Sequence, residues 1–424
     1  MQGQGLPGFR DFYPEQLALR NHIFATWREV ARRYAFQEYD GPPLEPLELY
    51  TRKSGDEIVA QLYAFRDKGD REVTLRPEMT PTLARMVGAR AQALKKPIRW
   101  FAIPQLFRYE RQQRGRLREH FQLNMDIVGE AGPAADAEVM AAAVDIMRAF
   151  GFGPADVRLR VSDRRVVAAQ LTERYGVAAD ELAGVLAALD KWERAPDETE
   201  RLLGDALRAD AARVRPVLEF VAGLRRSGDE LRRLPVAASL NECLARLEAM
   251  GLGAFVELDF TVVRGLAYYT GVVFELFDAA RAFRAICGGG RYDTLMRELA
   301  GVDLPCVGFG MGDVVLGELL KERGAPPGAR PALDAFLVAV SDEDVPPLLG
   351  LAHELRERGM AVEYGLRAAP VRKQLELAAA RGAPRAVIVG PAERAAGVAV
   401  VRDLATGAEA RVPLARLREG RFRP

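Results

Sequence analysis

Five arginines, Arg108, Arg111, Arg114, Arg116 and Arg118, fall within eleven residues of the run Phe107-Arg-Tyr-Glu-Arg-Gln-Gln-Arg-Gly-Arg-Leu-Arg-Glu-His-Phe-Gln. Guanidinium groups are planar forks matched to phosphate oxygens, so a cluster of them makes a polyanion site. Glu110 adds an acceptor, suited to an adenine amino group or to an orienting ion pair. A solvated, charged hairpin tip would carry the same composition. In Val263-Arg-Gly-Leu-Ala-Tyr-Tyr-Thr-Gly-Val-Val-Phe-Glu, an arginine and two tyrosines stand between glycines and apolar runs. That places phenol tips near a sheet surface, although core tyrosines in a strand–turn–strand are the plainer account. The three glycines of Cys287-Gly-Gly-Gly-Arg-Tyr-Asp would let backbone approach a ligand closely, or simply make a tight turn. In Leu75-Arg-Pro-Glu-Met-Thr-Pro-Thr, Glu78 and Thr80 suit an ammonium group, while Thr80-Pro81 is also good helix-capping chemistry.

These segments need elements to hold them. Leu17, Ile23, Phe24, Trp27, Val30 and Ala31 have helical spacing over 14–35, with Pro14 near the start. An extended stretch interrupted by Pro42-Pro43 follows. Residues 98–109 and 121–128 predict two strands of a hairpin whose long tip is the arginine-rich loop. Residues 134–151 predict a helix, and 163–250 is nearly all helical in pattern, after the strand-like VRLRV, and looks inserted. Strands return at 255–263 and 271–277, and Gly308-Phe-Gly-Met-Gly is expected to open a helix. A Pro/Gly-rich stretch, 322–332, reads as a linker. Beyond it strands and helices alternate, ending in a strand pair around Ala405-Thr406-Gly407, which implies a small α/β domain with a partly parallel sheet.

The composition sets limits. The chain has 424 residues, 49% hydrophobic and 28% charged, enough for about two to four domains with sizeable cores. Lys+Arg is 60 against 59 Asp+Glu, which excludes a uniformly basic nucleic-acid coat. The three cysteines, Cys243, Cys287 and Cys306, and three histidines form no CxxC or Cys/His pattern. No zinc site or disulfide framework is expected, and a reducing cytoplasm is the expected compartment. No signal peptide or membrane span is read, since no apolar run reaches 18 residues.

Taken together and in this order, the motifs resemble the histidyl-tRNA synthetases, a class II aminoacyl-tRNA synthetase family, from Gly5 to the C-terminal domain. GFRDFYPEQ resembles the family's N-terminus, the region of Pro42-Pro43 its dimerisation motif, and Phe107–Gln122 its second class motif. RGLAYYTG and CGGGRYD resemble the two blocks that set histidine enzymes apart. The resemblance implies an α/β (α+β) protein: a catalytic domain on an antiparallel sheet over 1–325, a helical insertion at about 163–250, a linker at 326–332 and an anticodon-binding domain at 333–424. It implies that histidine and ATP give histidyl-adenylate, whose histidyl group passes to tRNA(His), with Mg²⁺ on the ATP phosphates and a homodimeric assembly. Arg108 would contact the α-phosphate, Arg264 the reacting carboxylate–phosphate centre, and Glu110 the adenine, with Arg116 also on the nucleotide. Glu78, Thr80 and Gln122 would hold the amino group; Asp126 and Tyr269 would bracket the imidazole, with Tyr268 and Tyr292 beside it.

The chain departs from the family pattern at three places. Ala267 stands where Asp is usual. His120-Phe121 replaces the usual adenine-stacking aromatic, and either ring could stack. Val314 and Val315 stand where the third class motif normally has Glu-Arg, whose arginine grips the ATP γ-phosphate; Arg114 or Arg116 would be the compensating groups. Two rival readings follow: a histidine-sensing regulatory subunit of ATP phosphoribosyltransferase, which lacks an anticodon-binding domain, and a non-catalytic RNA-binding scaffold. Arg225-Arg226 and Arg232-Arg233 in the insertion suit a tRNA acceptor stem or a solvated helix face, and the late arginines Arg411, Arg416, Arg418, Arg421 and Arg423 suit RNA or a solvated tail.

Overall fold

The computed structural model describes residues 5–51, 59–110, 117–193, 195–208, 210–264, 268–324 and 333–422. Arg111, Arg114, Arg116, Ala267, Arg423 and the expected linker 326–332 lie outside the described residues. The chain divides into two compact units, Met1–Ala325 and Pro326–Pro424.

In the first unit the described strands are β1 (Gln37–Glu38), β2 (Leu44–Pro46), β3 (Tyr63–Arg66), β4 (Glu72–Leu75), β5 (Ile98–Ala102), β6 (Gln105–Phe107), β7 (Glu119–Val128), β8 (Val157–Asp163), β9 (Val256–Leu258), β10 (Val272–Asp278), β11 (Cys287–Arg291) and β12 (Cys306–Gly312). The main sheet runs β1-β5-β7-β12-β11-β10-β8-β9, with β6 also on β7, and β2-β4-β3 form a small separate sheet. From β5 through β8 every pairing is antiparallel; β1–β5 and β8–β9 are parallel.

Alternation along β7 decides which face does what. Leu123, Met125 and Ile127 enter the main core with Trp27 and Val30 of the helix Pro14–Arg33 and with the helix Pro133–Ala149. The latter helix is buried on nearly all sides, and its run Ala141, Ala142, Ala143 lets it lie close to its neighbours. The opposite face of β7, carrying Gln122, Asn124 and Asp126, is left for chemistry.

Three strand expectations change. The stretch 98–109 is two strands, interrupted at Ile103-Pro104, where proline has no N–H for a ladder. The strand expected over 255–263 ends at Leu258, because the Asp259 carboxylate accepts the Thr261 N–H at 3.0 Å and turns the chain. The glycine-rich runs at 287–291 and 306–312 are neither a turn nor a helix opening but the adjacent central strands β11 and β12, and the helix begins only at Asp313.

The expected helical insertion is present as helices between Arg164 and Ala249. It starts directly from β8: Asp163 caps the first helix by accepting the Arg165 N–H at 2.9 Å. Its apolar faces join the same core as the sheet. Arg160 of β8, 2% exposed, ties the two together through Asp259, Glu193 and Thr261.

The second unit has the expected strand–helix alternation. Strands β13 (Ala335–Ala339), β14 (Val362–Tyr364), β15 (Arg385–Val389), β16 (Val398–Asp403) and β17 (Glu409–Pro413) lie in the order β14-β13-β15-β16-β17. Both pairings of β13 are parallel, and those of β16 are antiparallel. The turn after β16 is closed by Asp403, whose carboxylate accepts the Ala405 and Thr406 N–H groups at 3.0 and 2.8 Å. Among the described residues no helix is long and apolar enough to cross a membrane.

Candidate active site

The floor of the site is bare backbone. Across the sheet Asp126 lies opposite Gly308, which lies opposite Gly290; Asn124 lies opposite Gly310, which lies opposite Gly288; Gln122 lies opposite Gly312. Directly opposed residues share a face, so β7 presents polar side chains and β11 and β12 present glycine beside them. A Cβ at Gly308 would overlap Asp126 Oδ1, one at Gly310 would overlap Gln122 Nε2, and one at Gly288 would stand 2.6 Å from the Arg264 guanidinium. The glycines therefore let side chains from neighbouring segments lie flat across the strands, forming a trough.

One end of the trough is packed and buried. Tyr292 donates to Asp126 Oδ1 at 2.5 Å, while the buried Oδ2 has no hydrogen-bond partner among the described residues. Burial pushes the Asp126 carboxyl up to about 7, against the opposing effect of the Tyr292 hydroxyl. Tyr268 donates to Glu78 Oε2 at 3.1 Å, with the Thr80 hydroxyl also on its phenol. The Tyr268 ring lies 5.3 Å from that of Tyr269 and 5.9 Å from that of Tyr292. Burial raises all three phenols, Tyr269 to about 12, where the neighbouring Arg264 pulls the other way. All three are neutral hydrogen-bonding groups at neutral pH. Thr80 starts the helix Thr80–Ala89, whose Pro81 sits in its first turn.

The other end opens into a cavity of about 490 Å³ lined by Arg108, Glu110, His120, Arg264, Val314 and Val315, among others. Arg264 has φ +59°, an uncommon backbone state for a side-chain-bearing residue, and forms an ion pair with Glu275 of β10. Burial works against its charge, but Glu275 and Tyr269 outweigh that and raise its pKa. Its Nε, also buried, has no hydrogen-bond partner among the described residues. Arg108 is steered by its Nε donating to the Pro77 carbonyl at 2.9 Å, and its own N–H binds the Arg118 carbonyl. The insertion reaches this cavity with Asp190 and Glu193.

The expected residues thus sort into two groups around the glycine trough. Glu78, Thr80, Asp126, Tyr268, Tyr269 and Tyr292 cluster at the packed end; Arg108, Glu110, His120 and Arg264 surround the cavity, and Gln122 lies over Gly310 on that side, opposite Gly312 of the cavity wall. Phe121 joins neither. Its ring lies against Phe24 at 5.2 Å and under the Arg20 guanidinium at 4.9 Å, on the other side of β7. Of the two neighbouring rings His120 faces the cavity, and Phe121 is corrected to a packing residue. Asp313 likewise turns away, accepting the Phe121 N–H at 2.9 Å and pairing with Arg10, which also holds Glu119.

Sequence reasoning missed Glu275, Asn124, Arg160, Arg284 and the glycine floor. A signal for two of these existed. Gly308, Gly310 and Gly312 repeat every second residue, the period of a strand, and Glu275 is the one charged residue inside the apolar run of β10.

A family model described as Histidyl-tRNA synthetase matches residues 8–312, and one described as Anticodon binding domain matches residues 334–420. The chain is 48% identical to a "Histidine--tRNA ligase" of Opitutus terrae over 419 residues, covering 97% of this chain and 96% of that protein. It is 40% identical to a "Histidine--tRNA ligase, chloroplastic/mitochondrial" of Arabidopsis thaliana over 417 residues, covering 97% and 85%. The crystal structure of a histidyl-tRNA synthetase from a Nostoc species has the same fold, with a TM-score of 0.78 at 23% identity and 99% coverage of both chains.

Proposed function

The chain belongs to the histidyl-tRNA synthetase family, and from that premise we propose how its trough carries out histidine activation and transfer to tRNA(His) as a histidine–tRNA ligase. The observation that carries the reading is Asp126: a buried carboxylate with one oxygen held by Tyr292 and the other awaiting a donor. An imidazole N–H supplies that donor. Burial raises the Asp126 carboxyl, and an N–H brought to Oδ2 would stabilise its ionised form. Tyr269 closes on the other side of the ring with Tyr292 beside it, Tyr268 completes the phenol wall, and Glu78, Thr80 and Gln122 take the α-amino group. An apolar isostere would leave Asp126 Oδ2 unpaired in a dry site, which is a strong basis for rejection.

The histidine carboxylate then points along the glycines toward the cavity. One of its oxygens attacks the α-phosphorus of ATP; the bond from that phosphorus to the α–β bridging oxygen breaks, and pyrophosphate leaves with the electron pair. The attacking carboxylate is already ionised, so no protein base is required. Charge gathers on oxygens, and fixed cations answer it: Arg108 on the α-phosphate and Arg264, held in line by Glu275, at the reacting centre. His120 stacks on the adenine and Glu110 accepts from its amino group. Mg²⁺ carried in by the ATP phosphates, and held by them, would neutralise part of their charge. In the second step the terminal ribose hydroxyl of the tRNA attacks the carbonyl carbon. The acyl–phosphate bond breaks, AMP departs with its electrons, and the hydroxyl proton goes to water.

The second unit is assigned to the tRNA anticodon. Ligase relatives align across both units, which favours charging over the phosphoribosyltransferase-regulating reading. We further assign a homodimer paired through the region of β2, where Leu44 is exposed, and a reducing cytoplasmic setting that suits the free, buried Cys243, Cys287 and Cys306. The test is ATP–pyrophosphate exchange. Label should enter ATP only when histidine is present; histidine binding without exchange would point instead to the sensing role, and no histidine binding would overturn the reading.

A further inference from the structure

We propose that Arg10 is a positioning residue of the nucleotide site: from behind the sheet it locks the first residues of β7 to the start of the helix after β12, and so holds His120 where an adenine stacks on it. The inference rests on the ATP-dependent reading above and adds the device that places one of its contacts. The need for such a device comes from the ladder. β7 pairs with β12 as far as Gln122 and Gly312, and there β12 ends, because the helix Asp313–Glu322 begins at the next residue. Beyond that point the strand beside β7 is β6, whose Gln105, Leu106 and Phe107 lie opposite Phe121, His120 and Glu119. On the side that β12 has left, the Asp313 carboxylate takes the place of a strand carbonyl and accepts the Phe121 N–H at 2.9 Å. A side chain can swing where a strand cannot, so the placement of His120 depends on what holds that carboxylate.

Arg10 holds it. Its Nη1 donates to Asp313 Oδ2 at 2.9 Å and its Nε to Glu119 Oε1 at 2.6 Å, so one guanidinium fork spans two carboxylates on two elements. Glu119 immediately precedes His120, and Asp313 immediately precedes Val314 of the cavity wall. Both carboxylates are buried, at 1% and 4% exposure, and removing the cation between them would leave like charges facing each other. Glu119 also accepts from Gln105 Nε2 at 3.0 Å, which extends the clamp to β6. Alternation sends Glu119 and Phe121 to the core face of β7 and His120 to the cavity, so Arg10 acts through the strand and not on the nucleotide. Its own segment is anchored apart from these ion pairs. The Gly8 carbonyl accepts the Arg118 N–H at 3.0 Å, the Phe9 ring lies 6.4 Å from that of Phe107, and the Phe12 ring lies under the Arg20 guanidinium at 4.5 Å. A change at Arg10 therefore leaves the segment in place and frees the clamp.

The experiment titrates the full chain by calorimetry with ATP, with AMP and with histidine, and repeats this for Arg10→Gln, Arg10→Lys, Asp313→Asn and a control, Arg28→Gln, which removes the first helix's exposed pair with Glu38. Each clamp variant is also read in a His120→Ala background, with folding checked by circular dichroism. A clamp that places the base platform predicts that Arg10→Gln weakens ATP and AMP alike by about tenfold, since both carry the adenine, while histidine affinity holds. Arg10→Lys recovers part of the loss, and Arg28→Gln behaves as the unaltered chain. In the His120→Ala background Arg10→Gln costs less than about twofold further, because the ring it places is gone. Full additivity in that cycle, an ATP affinity for Arg10→Gln within about twofold of the unaltered chain, or an equal loss of histidine affinity overturns the assignment and leaves Arg10 a fold element. Should Arg10→Gln not fold, Asp313→Asn, which keeps the shape and removes one arm of the clamp, is read by the same criteria; failure of both to fold overturns the assignment as well. An unaltered chain that binds neither ATP nor histidine overturns the ligase reading and this inference with it, whereas a normal unaltered chain beside an inert Arg10→Gln overturns the inference alone.

Discussion

The two ends of the trough solve opposite problems. At the Asp126 end, a carboxylate 3% exposed is surrounded by phenols and apolar side chains, and its state is governed by the loss of water. At the Arg264 end, a guanidinium 22% exposed borders an open cavity, and its charge is secured by a carboxylate partner. The first arrangement suits recognition, because a dry, incompletely bonded oxygen discriminates sharply between ligands that can and cannot donate to it. The second suits reaction, because a cation held in place stabilises charge that develops during the step without first having to move. On the proposed reading, chemistry and selectivity are separated along one strip of glycine, so that each can be disturbed without the other.

The largest effect expected is on chemistry. Arg264→Ala should cut the exchange rate by about a hundred- to a thousandfold or more while histidine still binds, checked by calorimetry beside the exchange assay. Near-normal exchange would break the division of labour between the two ends. Next is recognition: Asp126→Asn should raise the KM for histidine by about ten- to a hundredfold and leave the KM for ATP in place. Equal losses for the two substrates would mean that Asp126 serves the fold and not the imidazole. A smaller effect separates two adjacent rings. His120→Ala should weaken ATP by about tenfold through lost stacking, whereas Phe121→Ala should lower the melting temperature and leave the KM for ATP unchanged.

A separate effect is on the stability of the unliganded protein as pH changes. Asp126 titrates at about 7 when folded and near an ordinary carboxylate value of about 3.9 when unfolded. Between those values the folded state holds the proton more tightly, so its stability falls as pH rises through the window and levels off above about 7. Asp126→Asn removes that decline, because the amide does not ionise. The urea midpoints of the unaltered chain and the Asp126→Asn variant should therefore lie closest at about pH 4 and separate in favour of the variant by about pH 8. Parallel curves would show that the buried carboxyl titrates normally.

Much of this architecture was legible in the sequence where elements are long and regular. The first helix, the helical insertion and the alternating second unit follow from periodicity alone, because burial of one face or both imposes the pattern. The motif-bearing side chains were legible too, since Arg264, Tyr268, Tyr269 and Tyr292 come in short, distinctive runs. The central strands β11 and β12 were not. Glycine has low strand preference, and here it is selected by what lies across the ladder: a polar side chain from the neighbouring strand fills the space a Cβ would take. No local propensity encodes a partner as remote in the chain as Asp126 is from Gly308. The choice of His120 over Phe121 was hidden for a related reason, because it depends on which face of β7 meets the core.

The bare floor also tells an engineer where this enzyme can be retrained. Gly288, Gly290, Gly308 and Gly310 already have the smallest side chain available, so nothing can be trimmed from beneath to admit a bulkier amino acid. Extra volume must come from the flanks, at Tyr269 and Tyr292, where cutting a ring back opens space without touching the ladder. A library seeking synthetases for unnatural histidine analogues should vary those flanking phenols and keep the glycine strands intact.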